Sequence, residues 1–179
     1  MSIFVVIGIV VAIIGIILII LITQNNKLEW YNTLLDKGET NVVNSLTKKY
    51  DILLRYLEFL KNNKVDVKEE EIEEYKLLNT KQSINKLDNR VNELNNMISR
   101  YMDNNEKLLK NETIINLNKE LNEANVGVNG GKKYYNDNLV LYNHLCNAFP
   151  SNIVAKLKRY KEKEFLDGEI KEELKILEE

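Results

Sequence analysis

The chain has 179 residues, of which 29% are charged and 44% are hydrophobic, and its net charge is −2. This balance offers no basic surface of the kind that attracts nucleic acid, so we expect no nucleic-acid partner. A single cysteine excludes an intramolecular disulfide, and one proline with seven glycines favours long helices.

The first element is an apolar segment from Ile3 to Ile22. Apart from Gly8, Ala12 and Gly15, every residue in it is Ile, Val, Leu or Phe. As a helix it is about 30 Å long, which matches the hydrocarbon core of a bilayer. A cleaved signal peptide has a basic start, a shorter apolar run and a small-residue cleavage site, and this segment shows none of them. We therefore predict a transmembrane anchor over residues 1–24.

The charges beside the anchor predict its orientation. Only the α-amino group precedes the apolar segment, whereas Lys27 and Lys37 follow it, and basic residues favour the cytoplasmic side. We expect the N-terminus outside the cell membrane and the main domain in the cytoplasm. Gly8 and Ala12 fit close packing of two anchors, but both are also common in any membrane helix, so a homo-oligomer stays open.

The anchor is predicted to run into a first soluble helix with little break. Apolar residues recur there at intervals of three and four, which places them on one buried face. The stripe consists of Tyr31, Leu35, Gly38, Val42, Leu46, Tyr50, Leu53, Leu57 and Leu60. After a polar turn, Asp66 and Glu69 form a capping-box pattern that predicts the start of the next helix.

Two further long helices carry heptad spacing. The second contains Ile84, Leu87, Val91, Leu94, Ile98, Tyr101, Asn105 and Leu108. The third contains Ile114, Leu117, Leu121, Ala124, Val128, Gly131, Tyr135, Asn138, Tyr142, Leu145 and Phe149. Gly127, Gly130 and Gly131 by themselves favour a loop. A loop has no reason to preserve the heptad phase on both sides, so one helix is predicted from about Glu112 to Ala148.

Short elements complete the predicted fold. Pro150 should end the third helix, Ser151 or Asn152 should cap a short helix through Lys158, and Asp167 is the expected cap of a last helix in a tail at 167–179. The predicted class is all-α: an N-terminal transmembrane helix followed by an antiparallel bundle of three long helices plus short C-terminal helices.

A family resemblance appears in the last third of the chain. Two Tyr-Asn pairs lie seven residues apart and a Phe-Pro pair follows, as Tyr135-Asn136, Tyr142-Asn143 and Phe149-Pro150. Together with Tyr31-Asn32 after the anchor, this pattern resembles the LemA family. Lys132 stands where that family usually has Arg, and the Ala-Trp motif of its first soluble helix is missing. The chain thus resembles a divergent member, from the anchor to about Phe165.

The resemblance implies a membrane helix, a short exterior tail and a cytoplasmic helical domain, here over residues 25–166. It supplies no catalytic residues, and some relatives are associated with membrane zinc proteases or membrane remodelling. We therefore expect a non-enzymatic single-pass protein whose helical domain binds an unidentified protein partner as a scaffold. The alternatives are a self-associating, membrane-shaping protein and a non-catalytic regulator of a membrane protease.

The Tyr-Asn region has two interpretations. The aromatic rings either fill one end of the bundle, with their hydroxyls bonded at its rim, or form an interaction patch. The candidate patch comprises Tyr135, Asn136, Tyr142, Asn143, Phe149 and Pro150. Basic residues at this end suit anionic lipid or an acidic partner, or form a plain solvated face. They are Lys132, Lys133, Lys156, Lys158, Arg159, Lys161 and Lys163.

The two residues with the most reactive chemistry are the only histidine, His144, and the only cysteine, Cys146. One histidine and one cysteine cannot build a usual zinc site. Two residues apart on a helix, they face different directions, which disfavours a Cys-His nucleophile pair. We expect no catalytic residue, no metal and no cofactor.

Overall fold

The computed structural model describes residues 2–68 and 82–166. All the regular structure in these ranges is helical, which confirms the all-α prediction. The elements are α1 (Ile3–Asn62), α2 (Ile84–Asp103), a 3-10 turn (Glu106–Lys110), α3 (Glu112–Asn147) and α4 (Ser151–Lys158). Residues 69–81, where the second helix was expected to begin, and the expected tail helix lie outside the described residues.

Helix α1 is continuous over 60 residues, so the predicted passage from the apolar segment into the soluble helix is confirmed. The apolar segment is exposed, with Phe4 for example at 81%, and α1 is long and apolar enough to cross a membrane. After Ile22 the burial becomes periodic. Every member of the predicted stripe from Leu35 to Leu60 is buried, and Tyr31 is half-buried.

The chain divides into two compact units. The N-terminal unit comprises residues 1–37 and 135–165, and its core contains Leu28, Leu35, Leu139, Tyr142, Val154 and Ala155. Among the described residues, the bundle unit comprises 38–68, 82–134 and 166, and its core contains Val42, Leu46, Leu53, Leu60, Leu87, Val91, Leu94, Ile114 and Leu117. Helices α1 and α3 contribute to both units.

In the bundle unit, α3 runs antiparallel to α1. Gly131 lies against Val42 near one end of the contact, and the Tyr56 hydroxyl donates a hydrogen bond to Asn118 Oδ1 at 2.6 Å near the other. As the residue number rises along α1, the number of its partner on α3 falls. Burial raises the pKa of Tyr56 to about 12, so its hydroxyl remains a donor at neutral pH.

Helix α2 runs in the same direction as α1. Lys49 donates to Asn92 Oδ1 at 2.7 Å, and the backbone N–H of Lys68, beyond the end of α1, donates to the Tyr101 hydroxyl at 3.3 Å near the end of α2. The short connection that follows α2 then returns the chain into α3. Among the described helices of the bundle unit, α3 is therefore antiparallel to both α1 and α2.

The glycine-rich stretch is helical, as the heptad phase predicted, because α3 contains all of Gly127, Gly130 and Gly131. Two of these glycines allow α3 to approach α1 closely. A Cβ at Gly131 would lie 2.8 Å from Val42 Cγ2 and 3.3 Å from the Val42 backbone nitrogen, and a Cβ at Gly127 would lie 2.8 Å from Ser45 Oγ. The loss of helix propensity at these positions is offset by the packing that it permits.

The ends of the shorter elements differ in detail from expectation. Helix α4 begins at Ser151, but this residue is not its cap. The N-cap position is Pro150 without a side-chain hydrogen bond, and Ser151 Oγ donates to the Ala148 carbonyl at 2.8 Å. Asn105, expected on the helix seam, lies beyond the end of α2 and donates to the Tyr101 carbonyl at 2.8 Å.

We predict that Gly131→Ala destabilises the bundle unit by about 1–3 kcal/mol, because the new methyl group meets the Val42 backbone. Gly130 is the matched control, since a Cβ there meets nothing within 4 Å. Gly130→Ala should instead stabilise the protein by about 0.5–1 kcal/mol through helix propensity. Urea unfolding followed by circular dichroism measures both values, and equal effects would contradict the close approach at Gly131.

Candidate functional site

The candidate patch lies in the N-terminal unit, where the last turns of α3 position its residues. Tyr135, Asn136 and Tyr142 are only 3%, 1% and 1% exposed, because their spacing keeps them on the inner face of α3. Phe149 was expected on the same face, but α3 ends at Asn147 and the Phe149 ring is 80% exposed. The structure thus buries both tyrosines and leaves Phe149 exposed.

The asparagine and tyrosine side chains hold the segment that follows α4. Asn143 Nδ2 donates to the Lys163 carbonyl at 3.0 Å, and the Lys163 N–H donates to Asn143 Oδ1 at 3.1 Å. The Tyr135 hydroxyl donates to the Glu164 carbonyl at 3.3 Å, and the Asn147 amide donates to the carboxylate of Glu162. These paired bonds satisfy backbone groups that would otherwise need water. We call this set of contacts, with Tyr142 at its centre, the Tyr-Asn cluster.

Tyr142 forms the apolar part of the Tyr-Asn cluster. Its ring meets that of Tyr160 edge to face, with centroids 6.4 Å apart and planes at 83°. Burial raises the pKa of the Tyr142 hydroxyl, and burial also raises the pKa of the Cys146 thiol beside it. Both groups are therefore neutral at physiological pH, and Cys146 lacks the thiolate character of a nucleophile. His144 lies exposed, whereas Cys146 is buried.

This geometry supports the packing interpretation for Tyr135 and Tyr142. The rings fill the interior of the N-terminal unit, and the Tyr135 hydroxyl is bonded at the rim. Of the six candidate residues, only Phe149 presents a large exposed apolar surface. A partner-binding role for this region stays a prediction.

We predict that Asn143→Ala destabilises the N-terminal unit by about 1–3 kcal/mol, because it removes both bonds to the Lys163 backbone. Trypsin should then cleave faster after Lys161 and Lys163, as followed by mass spectrometry. Asn129→Ala, at an exposed position of the same helix, is the control and should leave cleavage unchanged. Equal cleavage of the two variants would show that other contacts hold the segment.

A second polar cluster lies in the bundle unit. Lys132 Nζ forms an ion pair with Asp88 Oδ2 at 2.5 Å, and these residues are only 8% and 6% exposed. Lys49, also buried, donates to Asn92. Burial lowers the pKa of Lys49, with Asp88 opposing this effect and Lys132 adding to it. The expectation that Lys132 belongs to an exposed basic end is wrong, because the helix turns it towards α2.

The spacing of the charged residues contained a signal for this second cluster that the apolar pattern alone did not show. Asp88 precedes the buried Val91 by three residues, and Lys132 follows the buried Val128 by four, so both lie at interior helical spacing. Opposite charges at such positions on two helices point to a buried pair. The direction of α2 relative to α3 was needed to match them.

We predict that Lys132→Met lowers the free energy of unfolding by about 3–5 kcal/mol, since Asp88 is then buried without its cation. Adding Asp88→Leu should recover most of the loss, because no buried charge of this pair remains. Lys119→Met, on the exposed side of α3, is the control and should stay within about 0.5 kcal/mol of the parent. Chemical unfolding measures the free energy of unfolding of each variant. A double variant as unstable as Lys132→Met alone would contradict the pairing.

Comparison with known proteins now adds to this geometry. The sequence model of the LemA family matches residues 38–176, which is more than three quarters of the chain. The chain belongs to the LemA family. Curated proteins and solved structures gave no significant match. The matched range of this LemA family member includes both polar clusters and all of α2, α3 and α4.

Metal-binding side chains are not gathered in the part of the chain that the structure describes. In residues 2–68 and 82–166, no three His, Cys, Asp or Glu residues form a group that could hold a metal ion. The polar groups of both clusters are instead engaged with one another or with the backbone. These polar contacts join α1, α2 and α3 in the bundle unit, and they join α3 to the segment after α4 in the N-terminal unit.

Proposed function

We propose that this LemA family protein is a single-pass membrane protein whose helical domain serves as a scaffold for a protein partner. Helix α1 carries the proposal. Over residues 3–22 its large apolar side chains are exposed, an arrangement that water disfavours and lipid favours. The seventeen Ile, Val, Leu and Phe residues make insertion favourable by roughly 5–10 kcal/mol. The flanking lysines support an outside N-terminus and a cytoplasmic domain.

Binding rather than catalysis is supported by how the polar side chains are used. Asn143 and Tyr135 hold backbone groups, and Lys132 and Asp88 neutralise each other inside the bundle unit. Exposed apolar side chains on α3 offer a surface instead, with Ile115 at 55% and Val126 at 73%. Eleven residues apart, they lie on one face of the helix. A membrane protease is one class of partner for this surface, and the protein would then act as a non-catalytic regulator.

Self-association is the second candidate function. Gly8, Ala12 and Gly15 lie on one face of the exposed part of α1, and a Cβ at Gly8 or Gly15 meets nothing within 4 Å. Such a face suits close contact with the same helix of a second copy. A homo-oligomer of this kind supports the membrane-shaping role.

Thiol labelling tests the anchor and its orientation. Native Cys146 is buried and should react little, which provides the background. We predict that Ser2→Cys reacts with a membrane-impermeant maleimide in intact cells, whereas Val126→Cys reacts only after permeabilisation. Both chains should stay in the membrane pellet after alkaline carbonate washing, and a chain that begins at residue 25 should not. The reversed labelling pattern would contradict the orientation, and release of the full chain would contradict the anchor.

Photo-crosslinking separates the two candidate functions. A photoreactive residue at Val126 should give a reproducible adduct with a different protein if the domain is a scaffold. The same residue at Gly8 should give a homodimer adduct if the anchors associate. Asn96, exposed on α2, provides the control position. The absence of any adduct from Val126 in native membranes would contradict the scaffold role.

A further inference from the structure

Helix α4 has two apolar faces, and only one of them is covered. Val154 and Ala155 are buried in the N-terminal unit at 5% and 2% exposure. On the other side, Ile153 and Leu157 are 42% and 76% exposed, and Phe149, which precedes the helix, is 80% exposed. We call these three residues the outer row. A helix that is apolar on both sides requires a second cover, because contiguous exposed apolar surface is unfavourable in water.

Basic side chains border the outer row. Lys156, Arg159 and Lys161 are exposed. The acidic groups of α1 at this end are already matched, since Lys158 Nζ lies 3.6 Å from Glu29 Oε1. Large apolar side chains beside lysine and arginine are the composition of helices that lie in the interfacial plane of a membrane.

The ion pairs also place α4 along α1. Glu29 follows Ile22 by seven residues, so its backbone lies about 10 Å beyond the end of the apolar segment, and Lys158 Nζ pairs with its carboxylate. The headgroup layer on each side of a bilayer is roughly 5–8 Å thick. A lysine at this level is within reach of the lipid phosphates and within the Debye length of about 8 Å.

The direction of the chain after α4 completes the placement. Lys163 Nζ lies 3.4 Å from Asp36 Oδ1, and Asp36 is a further seven residues from the apolar segment. The chain therefore moves away from the anchor after Lys158, and the outer row lies before this turn. Trp30, exposed at 59%, lies at the level of Glu29, and tryptophan is enriched at membrane interfaces.

We propose that α4 is a second membrane contact, in which the outer row enters the boundary between headgroups and acyl chains of an anionic bilayer. Lys156, Arg159 and Lys161 bind the negatively charged headgroups beside it. The inference rests on the proposed membrane insertion of residues 3–22. It gives the N-terminal unit two membrane contacts, one spanning and one lying on the surface, so that this unit is held in a fixed orientation.

A polarity-sensitive fluorophore on the full-length protein tests the contact. The fluorophore is attached to Leu157→Cys, and the protein is reconstituted into vesicles of phosphatidylcholine and phosphatidylglycerol. We expect its emission to shift to shorter wavelength and its intensity to fall with lipids that carry a shallow nitroxide quencher. Ile14→Cys, read with a nitroxide deep in the acyl chains, is the positive control within the anchor, and Val126→Cys, 73% exposed in the bundle unit, is the control for a solvated site. Parent protein, with only buried Cys146, measures background labelling.

The outcomes separate the two hypotheses. Quenching at position 14 with a water-like signal at position 157 overturns the α4 contact and leaves the anchor intact. A water-like signal at both positions, with protein that fails to float with the vesicles, overturns the anchor as well. A shift at position 157 that depends on protein concentration rather than on quencher lipid shows that a second copy covers α4, and it overturns the proposal.

Charge variants test the lipid class. Lys156→Glu with Lys161→Glu should abolish most of the shift at position 157, and vesicles of phosphatidylcholine alone should do the same for the parent charges. Circular dichroism confirms that the helices remain, which is expected because both lysines are exposed. A shift that is unchanged in both cases overturns the role of anionic headgroups.

Discussion

The continuity of α1 is the constraint on which the rest of the structure depends. One helix of 60 residues is exposed and apolar in its first third and is buried periodically in the remainder. The change of pattern after Ile22 is a change of surroundings, from apolar side chains exposed around the helix to a protein core on one side. Because no break separates the two parts, the first buried residue, Leu28, follows the apolar segment on the same helix.

Within this constraint, polar side chains decide how the other elements attach. The Tyr-Asn pattern that marks the LemA family resemblance has a structural explanation here, because Asn143 pairs with both backbone groups of Lys163 and Tyr142 packs against Tyr160. An apolar residue at position 143 could bury surface but could not satisfy those two groups. The same logic applies in the bundle unit, where Lys132 and Asp88 neutralise each other in the interior.

Periodicity predicted the helices well and the polar interior poorly. The heptad spacing continues across Gly127 to Gly131 and correctly predicted one helix. The residues on both sides of the glycines lie on the same buried face, and glycine does not change that spacing. The spacing of Lys132 was compatible with an interior position, but a charged residue is expected to be solvated until its partner is known. Phe149 follows the heptad spacing but does not lie on the buried face, because α3 ends two residues before it. The direction of α2 depended on contacts such as Lys49 with Asn92, which no local pattern encodes.

Hydrogen exchange of the full-length protein in lipid nanodiscs tests the continuity of α1 most directly. The decisive amides are those of residues 23–27, between the apolar segment and the first buried residue, Leu28. A continuous helix predicts that they exchange as slowly as the amides of residues 28–35, since each donates within α1. Rapid exchange confined to residues 23–27 would contradict it, because the anchor and the helical domain would then be two helices joined by a flexible link.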